Sequence, residues 1–494
     1  MDLLSDLVRL AQGGLGNLAA YLAAHVLLCL VPAFYIAGAM TALIPKETVT
    51  RFLGRNTPKL ISYPAAALAG SVLAVCSCTI VPLFAGIYKK GAGLGPAITF
   101  LFFAPAANIL ALVYTGGVIG PDLAFARLFL SLAFGIGIGL IMALIFARSD
   151  LAHDKATDEM FASQSSRGMP RAALMFLLLL VILLLSGTLK LDFLTGSYTQ
   201  VSLPIPGVER FQAGLDRLVP YDAARGEEGV TVQGVILILL LALIGLASWK
   251  GLENIHAGFN GWTWASLGLV ALTLLVAALK MQATSQGLQI GLTGKFVAVS
   301  ISLGMLFYLG RQHLSTGELR DFLWESWRFV KQIFPLLVIG VFAVGIIRVI
   351  IRPEWIETLA GSNTLPGNLA GVGFGVFMYF PTLVEVPIAN MFLDLGMHRG
   401  PLLAYLMADP ELSLQSILIV SAIIGKVKSW TYVAWVALFS TLAGLLYGAW
   451  VDGVSIGWIA ACVIGFLLLL AAALWVASRQ AKGSSPVGRE TLRG

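Results

Sequence analysis

Residues 71–91 read SVLAVCSCTIVPLFAGIYKKG and combine two features that apolar segments seldom carry together. Cys76 and Cys78 are two of the four cysteines in the chain, and Pro82 follows within the same apolar run. Proline has no amide hydrogen, and its ring clashes with the carbonyl group one turn earlier. The stretch therefore predicts an apolar helix that is interrupted beside a pair of thiols.

Two thiols at this spacing can serve one ligand only where the helix opens. On a regular helix, side chains two residues apart point about 200° away from each other. An opened segment at Cys76 and Cys78 would present two sulfur atoms to a soft centre, such as a trivalent arsenical, an antimonial, or Cu(I), Zn or Hg ions. Two alternatives stay open. The cysteines are either small packing residues or a pair that cycles between dithiol and disulfide with a thioredoxin-like partner.

The composition predicts a membrane protein. Of 494 residues, 58% are hydrophobic and 12% are charged, whereas soluble domains are about 25% charged. About thirteen apolar segments, many near the length of a membrane span, predict an all-α, polytopic transmembrane bundle in contact with the lipid bilayer. The net charge of +6 is explained by basic cytoplasmic loops, so no nucleic-acid partner is expected. The N-terminus has no basic region or cleavage site, and we expect its first helix to be retained.

A second stretch matches the first. Residues 379–401 read YFPTLVEVPIANMFLDLGMHRGP. Glycine and proline recur in register at pairs 305 positions apart: Pro82 and Pro387, Gly91 and Gly396, Gly95 and Gly400, Pro96 and Pro401, Pro105 and Pro410. Helices broken at matching positions of two halves indicate the substrate site of a transporter. The alternative is a duplicated helical hairpin without that role.

The repeat predicts four regions along the chain. Residues 1–150 form a first transmembrane repeat, and residues 151–316 form an insertion of about four transmembrane helices with a polar loop at 190–228. Residues 317–452 form the second repeat, and residues 453–494 form a final transmembrane helix with a basic tail. We expect residues 148–170 in the cytoplasm, the loop at 190–228 outside, and the amphipathic segment 317–332 at the interface.

The second repeat carries carboxylates where the first carries thiols. Glu385 precedes Pro387, while Asp409 and Glu411 flank Pro410. A carboxylate at membrane depth is costly and is by default a functional candidate, so these three residues are candidates for proton coupling. The alternatives are a salt bridge or interfacial position for Glu385 and helix capping for the other two.

Further candidates for substrate binding lie beside the breaks. Pro105 precedes Asn108, and Pro387 precedes Asn390. Each asparagine could bind the substrate or rejoin a broken backbone, and hydrogen bonding between helices is an equally good alternative. The sequence contains neither G-x-x-x-x-G-K-[ST] nor H-E-x-x-H, so we expect neither an enzyme nor a cofactor.

The motif resembles a predicted-permease family that includes organoarsenical efflux permeases (the ArsP and YraQ type). The matching residues are Cys76–Phe84, Gly91–Ala97 and Ala104–Asn108. The resemblance covers both repeats more loosely and does not extend to residues 150–310. It implies a multi-pass permease of the bacterial inner membrane with Cys76 and Cys78 as substrate contacts. Some relatives are linked to copper or zinc export, and the extra central helices distinguish this chain from short organoarsenical permeases.

The combined prediction is a secondary permease that exports a thiophilic substrate. A trivalent organoarsenical is the first candidate, another soft metal(loid) species is the second, and the carboxylates would couple export to protons. One alternative is the thiol-redox component described above. Another is a permease for a sulfur-containing anion, because Lys89, Lys90 and Arg399 lie near the breaks. Transport direction, repeat orientation and oligomeric state stay open.

Overall fold

The computed structural model describes most of the chain. The described residues are 3–23, 26–72, 77–161, 171–188, 192–219, 229–285, 287–350, 354–377, 382–455 and 457–465. Within them the chain is mostly helical, as the sequence predicts. Apolar runs favour helices in a bilayer because a helix satisfies its own backbone hydrogen bonds where no water is available.

The first part of the chain contains several short helices. They are α1 (Leu3–Ala23), α2 (Val26–Leu43), α3 (Lys46–Leu53), α4 (Lys59–Val72), α5 (Ser77–Lys89), α6 (Leu94–Ala106), α7 (Ile109–Val118), α8 (Pro121–Ile145), α9 (Ala147–Phe161) and α10 (Arg171–Thr188).

The central part contains longer helices, a short amphipathic helix and strands. Its elements are α11 (Asp192–Thr195), β1 (Ser197–Leu203), α12 (Val208–Leu218), α13 (Val232–Gly251), α14 (Gly261–Ala278), β2 (Lys280–Thr284), β3 (Gly287–Thr293) and α15 (Gly294–His313).

Among its described residues, the last part of the chain contains two long helices and several short ones. Its helices are α16 (Thr316–Ile350), α17 (Glu354–Ala360), α18 (Leu365–Phe377), α19 (Thr382–Asp394), α20 (Arg399–Leu412), α21 (Leu414–Ile424) and α22 (Lys426–Val451), and residues 457–465 are also helical.

The described helices include enough long apolar segments for a multi-pass membrane protein. Six stretches are long and apolar enough to cross a membrane, and the bent pair α20 and α21, with 46° between the two helices, gives a seventh. The six are Leu94–Val118, Pro121–Ile145, Val232–Gly251, Gly261–Ala278, Thr316–Ile347 and Lys426–Val451. The sequence predicts about thirteen apolar segments. Among the described residues fewer full-length spans are found, because several segments form short helices joined at bends.

A small sheet departs from the predicted all-α fold. Strand β3 pairs antiparallel with β1 on one side and with β2 on the other. β1 lies in the polar loop at 190–228, and its residues are almost all exposed. Backbone outside the hydrocarbon can pair in strands, whereas lipid would not tolerate the open edges of this sheet.

Segment 317–332 is not a separate interfacial helix. It forms the first half of α16, a single helix from Thr316 to Ile350. Glu253, in the turn after α13, accepts hydrogen bonds from Lys331 Nζ at 2.6 and 2.8 Å and from Trp327 Nε1 at 2.8 Å. These hydrogen bonds lower the pKa of Glu253 below its ordinary value. Trp327 and Lys331 of this segment therefore join α16 to the turn after α13.

Two buried helices and two long helices make the centre of the bundle. Every residue of α6 and every residue of α20 after Arg399 is buried. A Cβ atom on Gly95 of α6 would lie 2.9 Å from the carbonyl oxygen of Gly139 in α8, and one on Gly400 of α20 would lie 2.8 Å from that of Gly444 in α22. Glycine is therefore required where each helix pair crosses.

The long helices α8 and α22 run antiparallel. The rings of Phe134 and Phe439, near their midpoints, have centroids 4.8 Å apart. The start of α8 lies beside the end of α22, because Tyr447 donates to Asp122 Oδ2 at 2.7 Å. Beyond the other end of α8, Asp150 and Lys428 at the start of α22 are close enough to interact electrostatically. We call these two regions the Asp122 end and the Asp150 end.

Candidate functional site

Two helix breaks lie within the apolar bundle. The first separates α6 from α7 at Ala107 and Asn108, and the second separates α20 from α21 at Ser413. The breaks follow Pro105 and Pro410 by two or three residues. Pro82 and Pro387, in contrast, lie inside α5 and α19. The described parts of those helices are therefore not broken at proline. Each proline lies near the helix start, where its missing N–H costs a single backbone bond.

A buried ion pair joins the first break to the second half of the chain. Arg127 of α8 and Glu385 of α19 are both fully buried. Arg127 Nη2 donates to Glu385 Oε1 at 2.9 Å and to Oε2 at 3.2 Å. The same guanidinium group donates through Nε to the carbonyl oxygen of Ala106 at 2.7 Å and through Nη1 to Thr115 Oγ1 at 3.4 Å. Arg127 therefore holds the end of α6, the body of α7 and α19 together.

The second break contains a different set of polar groups. Tyr432 of α22 donates to Glu411 Oε2 at 2.7 Å, and both side chains are buried. Glu411 and Glu385 are close enough for their carboxyl groups to interact electrostatically. Gln415, on the first turn of α21, is 1% exposed, and its side-chain atoms have no hydrogen-bond partner among the described residues. Asp409 is fully buried on α20.

The breaks bring together some of the residues that the sequence singles out. Glu385 and Glu411 are near each other, and Asp409 lies one turn from the second break. Asn108 caps α7, because its Oδ1 accepts from the backbone N–H of Ala111 at 2.7 Å. This is the predicted role of rejoining a broken backbone. Asn390 is half-buried on α19.

The thiol pair is only partly covered by the structure. Cys76 lies outside the described residues, and Cys78 lies in the first turn of α5 with its side chain outside the description. Cys462 is exposed. Within the described part of the chain, no three His, Cys, Asp or Glu side chains are grouped as metal ligands. The predicted soft-ligand site at Cys76 and Cys78 stays a prediction.

The two ends of the bundle differ in chemistry. At the Asp122 end, Arg399 Nη1 lies 3.0 Å from Asp122 Oδ2, which also accepts from Tyr447. At the Asp150 end, Asp150 Oδ1 accepts from the N–H of Leu94 at 3.0 Å and so caps α6. Burial raises the pKa of Asp150, and the Leu94 hydrogen bond and Arg55 partly oppose this effect. One end thus carries an ion pair between α8 and α20, whereas the other carries a buried cap.

Arg127 is the main residue that the sequence analysis missed. It is the only charged residue between Asp122 and Arg148. A lone charge inside an apolar run is by default a functional candidate, so the same rule that selects Glu385 also selects Arg127. Tyr432 gives no such signal, because tyrosine is common in apolar helices.

A multi-pass helical membrane protein with a buried ion pair beside broken helices has features that are typical of a permease. The chain belongs to the predicted permease family of the ArsP type, whose family model matches residues 13–449. This confirms the family resemblance seen in the sequence, and the match also spans residues 150–310, to which the motifs did not extend.

Relatives span both archaea and bacteria. The chain is 32% identical over 455 residues to the UPF0718 protein MJ0584 of Methanocaldococcus jannaschii, which covers 91% of this chain and 98% of the relative. It is 27% identical over 118 residues to the UPF0718 protein YcgR of Bacillus subtilis, covering 24% of this chain and 40% of the relative. No solved structure matches the chain.

Proposed function

We propose that this permease is a secondary transporter that exports a thiophilic solute across the cytoplasmic membrane. Trivalent organoarsenicals are the first candidate cargo, and other soft metal(loid) species form the wider class. The observation that carries the proposal is the fully buried pair of Arg127 and Glu385 beside the α6–α7 break. Charges this deep in an apolar bundle are expensive and mark substrate or ion pathways.

The proposed architecture is a pair of inverted repeats. Matching helices begin 305 positions apart: α5 and α19 at Ser77 and Thr382, α6 and α20 at Leu94 and Arg399, α7 and α21 at Ile109 and Leu414, α8 and α22 at Pro121 and Lys426. The antiparallel crossing of α8 and α22 favours an inverted relationship. Contacts across the halves support it as well, because α7 packs against α19 and α5 packs against α21. Inverted repeats place the transport site at the centre of the bundle.

Arg127 and Glu385 give a physical means of coupling export to protons. When Glu385 takes up a proton, the ion pair between α8 and α19 is lost, while Arg127 keeps its bonds to Ala106 and Thr115. The link between the two halves then weakens, and the first half stays intact. Glu411 and Asp409, at the second break, are the further proton-carrying groups in this proposal.

The cysteines supply the cargo specificity. Cys78 lies in the first turn of α5, and Cys76 comes two residues earlier in the sequence, outside the described residues. Two thiolates match the two exchangeable ligands of monomethyl arsenic(III), and soft sulfur ligands select soft centres.

Resistance of a sensitised bacterial host tests the cargo. A host without its own arsenic export should tolerate trivalent methylarsenical when it expresses the wild-type chain. The Cys76→Ser/Cys78→Ser variant should lose this tolerance at equal expression, and Cys462→Ser, which removes an exposed thiol, should keep it. Unchanged tolerance in the double variant would rule out thiol recognition.

A second candidate is a permease for a sulfur-containing anion, and the buried guanidinium of Arg127 favours it. An anion could take the place of the Glu385 carboxylate on Arg127. Thiosulfate and sulfite are suitable probes in membrane vesicles. In this case the cysteine variant transports the probe normally, whereas a chain without the Arg127 charge does not.

A further inference from the structure

A cavity of about 380 Å³ lies at the Asp150 end of the bundle. It is lined by the ends of α5 and α21, the start of α22, α9 and the middle of α16. Its polar lining consists of Tyr88, Lys89, Ser149, His153, Gln332 and Lys428. The cavity lies where the two halves of the chain meet, because α5 packs against α21.

The cationic groups of this cavity are only weakly engaged. Lys428 Nζ has Tyr88 Oη as its hydrogen-bond partner within the described part of the chain, at 3.4 Å. Lys89 Nζ lies 3.8 Å from Glu325 Oε2 and 4.0 Å from the centre of the Phe329 ring. The 3.8 Å between Lys89 Nζ and Glu325 exceeds the distance of a close ammonium–carboxylate pair, and Lys428 has no carboxylate within 4.0 Å among the described residues. Each ammonium group can therefore bind a further anion.

The nearby carboxylates are already shared with other partners. Glu325 Oε1 lies 3.4 Å from Arg328 Nη1, so this carboxylate serves two cations. Asp150 accepts from Leu94 N–H and lies 3.8 Å from Arg55 Nε. The immediate surroundings thus contain more cations than carboxylates, and a bound oxyanion would balance them.

The lining is also held in a fixed geometry. The His153 ring stacks on Tyr88 with centroids 4.1 Å apart and 3° between the planes, and His153 Nε2 lies 2.8 Å from the Tyr88 carbonyl oxygen. Gln332 Nε2 donates to the carbonyl oxygen of Ala422 at 3.2 Å. These contacts tie α9 to α5 and α16 to α21, so the cavity walls are set by the protein itself.

We propose that this cavity binds a small oxyanion, such as a phosphate or carboxylate group, between Lys89 and Lys428. The oxyanion belongs either to a free solute or to a lipid headgroup, since both present the same oxygen atoms. The site is separate from the thiol pair, so the proposal stands or falls independently of the cargo. Residues 148–170, which include all of α9 except its first residue, are expected on the cytoplasmic side, and the site would face that compartment.

Thermal unfolding of the full-length chain in nanodiscs tests the proposal. In discs of phosphatidylcholine, inorganic phosphate should raise the unfolding midpoint relative to sodium chloride of equal ionic strength. Lys428→Gln and Lys89→Gln should each weaken the apparent phosphate affinity about tenfold, the effect of losing about 1.4 kcal/mol of binding energy. Lys428→Arg should retain binding. Lys426→Gln, an exposed lysine of the same helix outside the cavity lining, should behave as the wild type.

A second arm identifies the source of the oxyanion. Phosphatidylglycerol replaces part of the phosphatidylcholine, and no phosphate is added. A rise of the midpoint that Lys428→Gln abolishes assigns the site to a lipid headgroup, whereas a lysine-dependent response to phosphate alone assigns it to a free solute. No midpoint rise in either arm, or rises that are equal in the wild type and both glutamine variants, would overturn the proposal. Repeating the assay in the Cys76→Ser/Cys78→Ser chain separates this result from the cargo proposal.

Discussion

The guanidinium group of Arg127 donates hydrogen bonds to three separate helices, and these bonds explain how its charge can be fully buried in an apolar bundle. Removing a cation from water costs several kcal/mol, and only a close partner with further hydrogen bonds offsets this cost. Glu385 supplies the opposite charge, and Ala106 and Thr115 accept two of the remaining N–H groups. The pair is thus satisfied only while α6, α7 and α19 stay together.

Removing one member of this pair should destabilise the protein far more than removing both. We expect Arg127→Gln or Glu385→Gln alone to lower the free energy of unfolding by about 3–5 kcal/mol, because the remaining charge is left buried and unpaired. The Arg127→Gln/Glu385→Gln chain should recover much of this loss but should not respond to a pH gradient in transport assays. Denaturation in detergent and vesicle transport measure the two effects.

Ser131→Ala is the matched control for these substitutions. Ser131 lies one turn after Arg127 on α8, is fully buried, and its hydroxyl group has no partner among the described residues. Its replacement should change stability little. A double variant that is still driven by the pH gradient would exclude Glu385 from proton coupling.

Tyr432 lies 305 positions after Arg127, the spacing of the proposed repeat. Tyr432→Phe removes the hydrogen bond to Glu411 and leaves one more oxygen of that carboxyl group without a partner. We expect a loss of about 1–3 kcal/mol in the free energy of unfolding. Ser440→Ala, at a buried position of the same helix, should be nearly neutral. Equal effects of both substitutions would show that the Tyr432 hydroxyl contributes nothing specific.

The sequence identifies the members of the buried ion pair better than it identifies their pairing. Glu385 is identified because a carboxylate in an apolar run is costly, and Arg127 is identifiable by the same rule. Their pairing is not, because the two residues are 258 positions apart and only the packed bundle brings them together. For Asn108, one predicted alternative is that it rejoins a broken backbone. The hydrogen bond that its Oδ1 accepts from the Ala111 N–H fits this alternative.

At the scale of helices, the prolines mark the breaks less directly than the sequence implies. Pro105 and Pro410 precede the breaks, whereas Pro82 and Pro387 lie inside helices. What ends α5 and α19 instead is a glycine beyond each helix: Gly91 with a φ of 88° and Gly396 with a φ of 89°. Only glycine adopts this conformation without strain. The positions of the turns were therefore predictable from glycine, and those of the breaks only approximately from proline.

The start of α6 depends on Asp150 as a cap from another helix. Asp150→Ala should lower the free energy of unfolding by about 1 kcal/mol, the usual effect of losing a helix cap. Asp150→Asn keeps an oxygen that can accept from Leu94 and removes a buried charge. Because burial raises the pKa of Asp150, the ionised carboxylate costs more free energy in the folded chain than in the unfolded chain.

Asp150→Ala should therefore lower the free energy of unfolding, whereas Asp150→Asn should not. We expect Asp150→Asn to be at least as stable as the wild type at neutral pH. This advantage should shrink as the pH falls and the aspartate becomes protonated. Urea unfolding in detergent at several pH values measures it. A neutral asparagine as destabilising as alanine would contradict the capping role, and Asp154→Ala on the same helix serves as the control.

At the scale of the whole molecule, the central question is how the two halves are oriented. The antiparallel crossing of α8 and α22 places their starts at opposite ends of the bundle. The Asp122 end carries the ion pair of Arg399 and Asp122, and the Asp150 end carries the cavity.

Accessibility labelling tests this orientation. In a chain without its native cysteines, Pro121→Cys and Lys426→Cys each place a single thiol at an exposed first residue of α8 or α22. A maleimide reagent that cannot cross the membrane should label one variant in intact cells and the other only in everted vesicles. Labelling of both from the same side would show that the two helices do not span the membrane in opposite directions.

Transport of a trivalent methylarsenical into everted membrane vesicles tests the account most directly. The wild-type chain should accumulate the compound when a pH gradient is applied. The Cys76→Ser/Cys78→Ser chain should lose this accumulation at the same expression level, and Cys462→Ser should retain it. Accumulation by the double variant at the wild-type rate would contradict the assignment of the thiol pair as the cargo site.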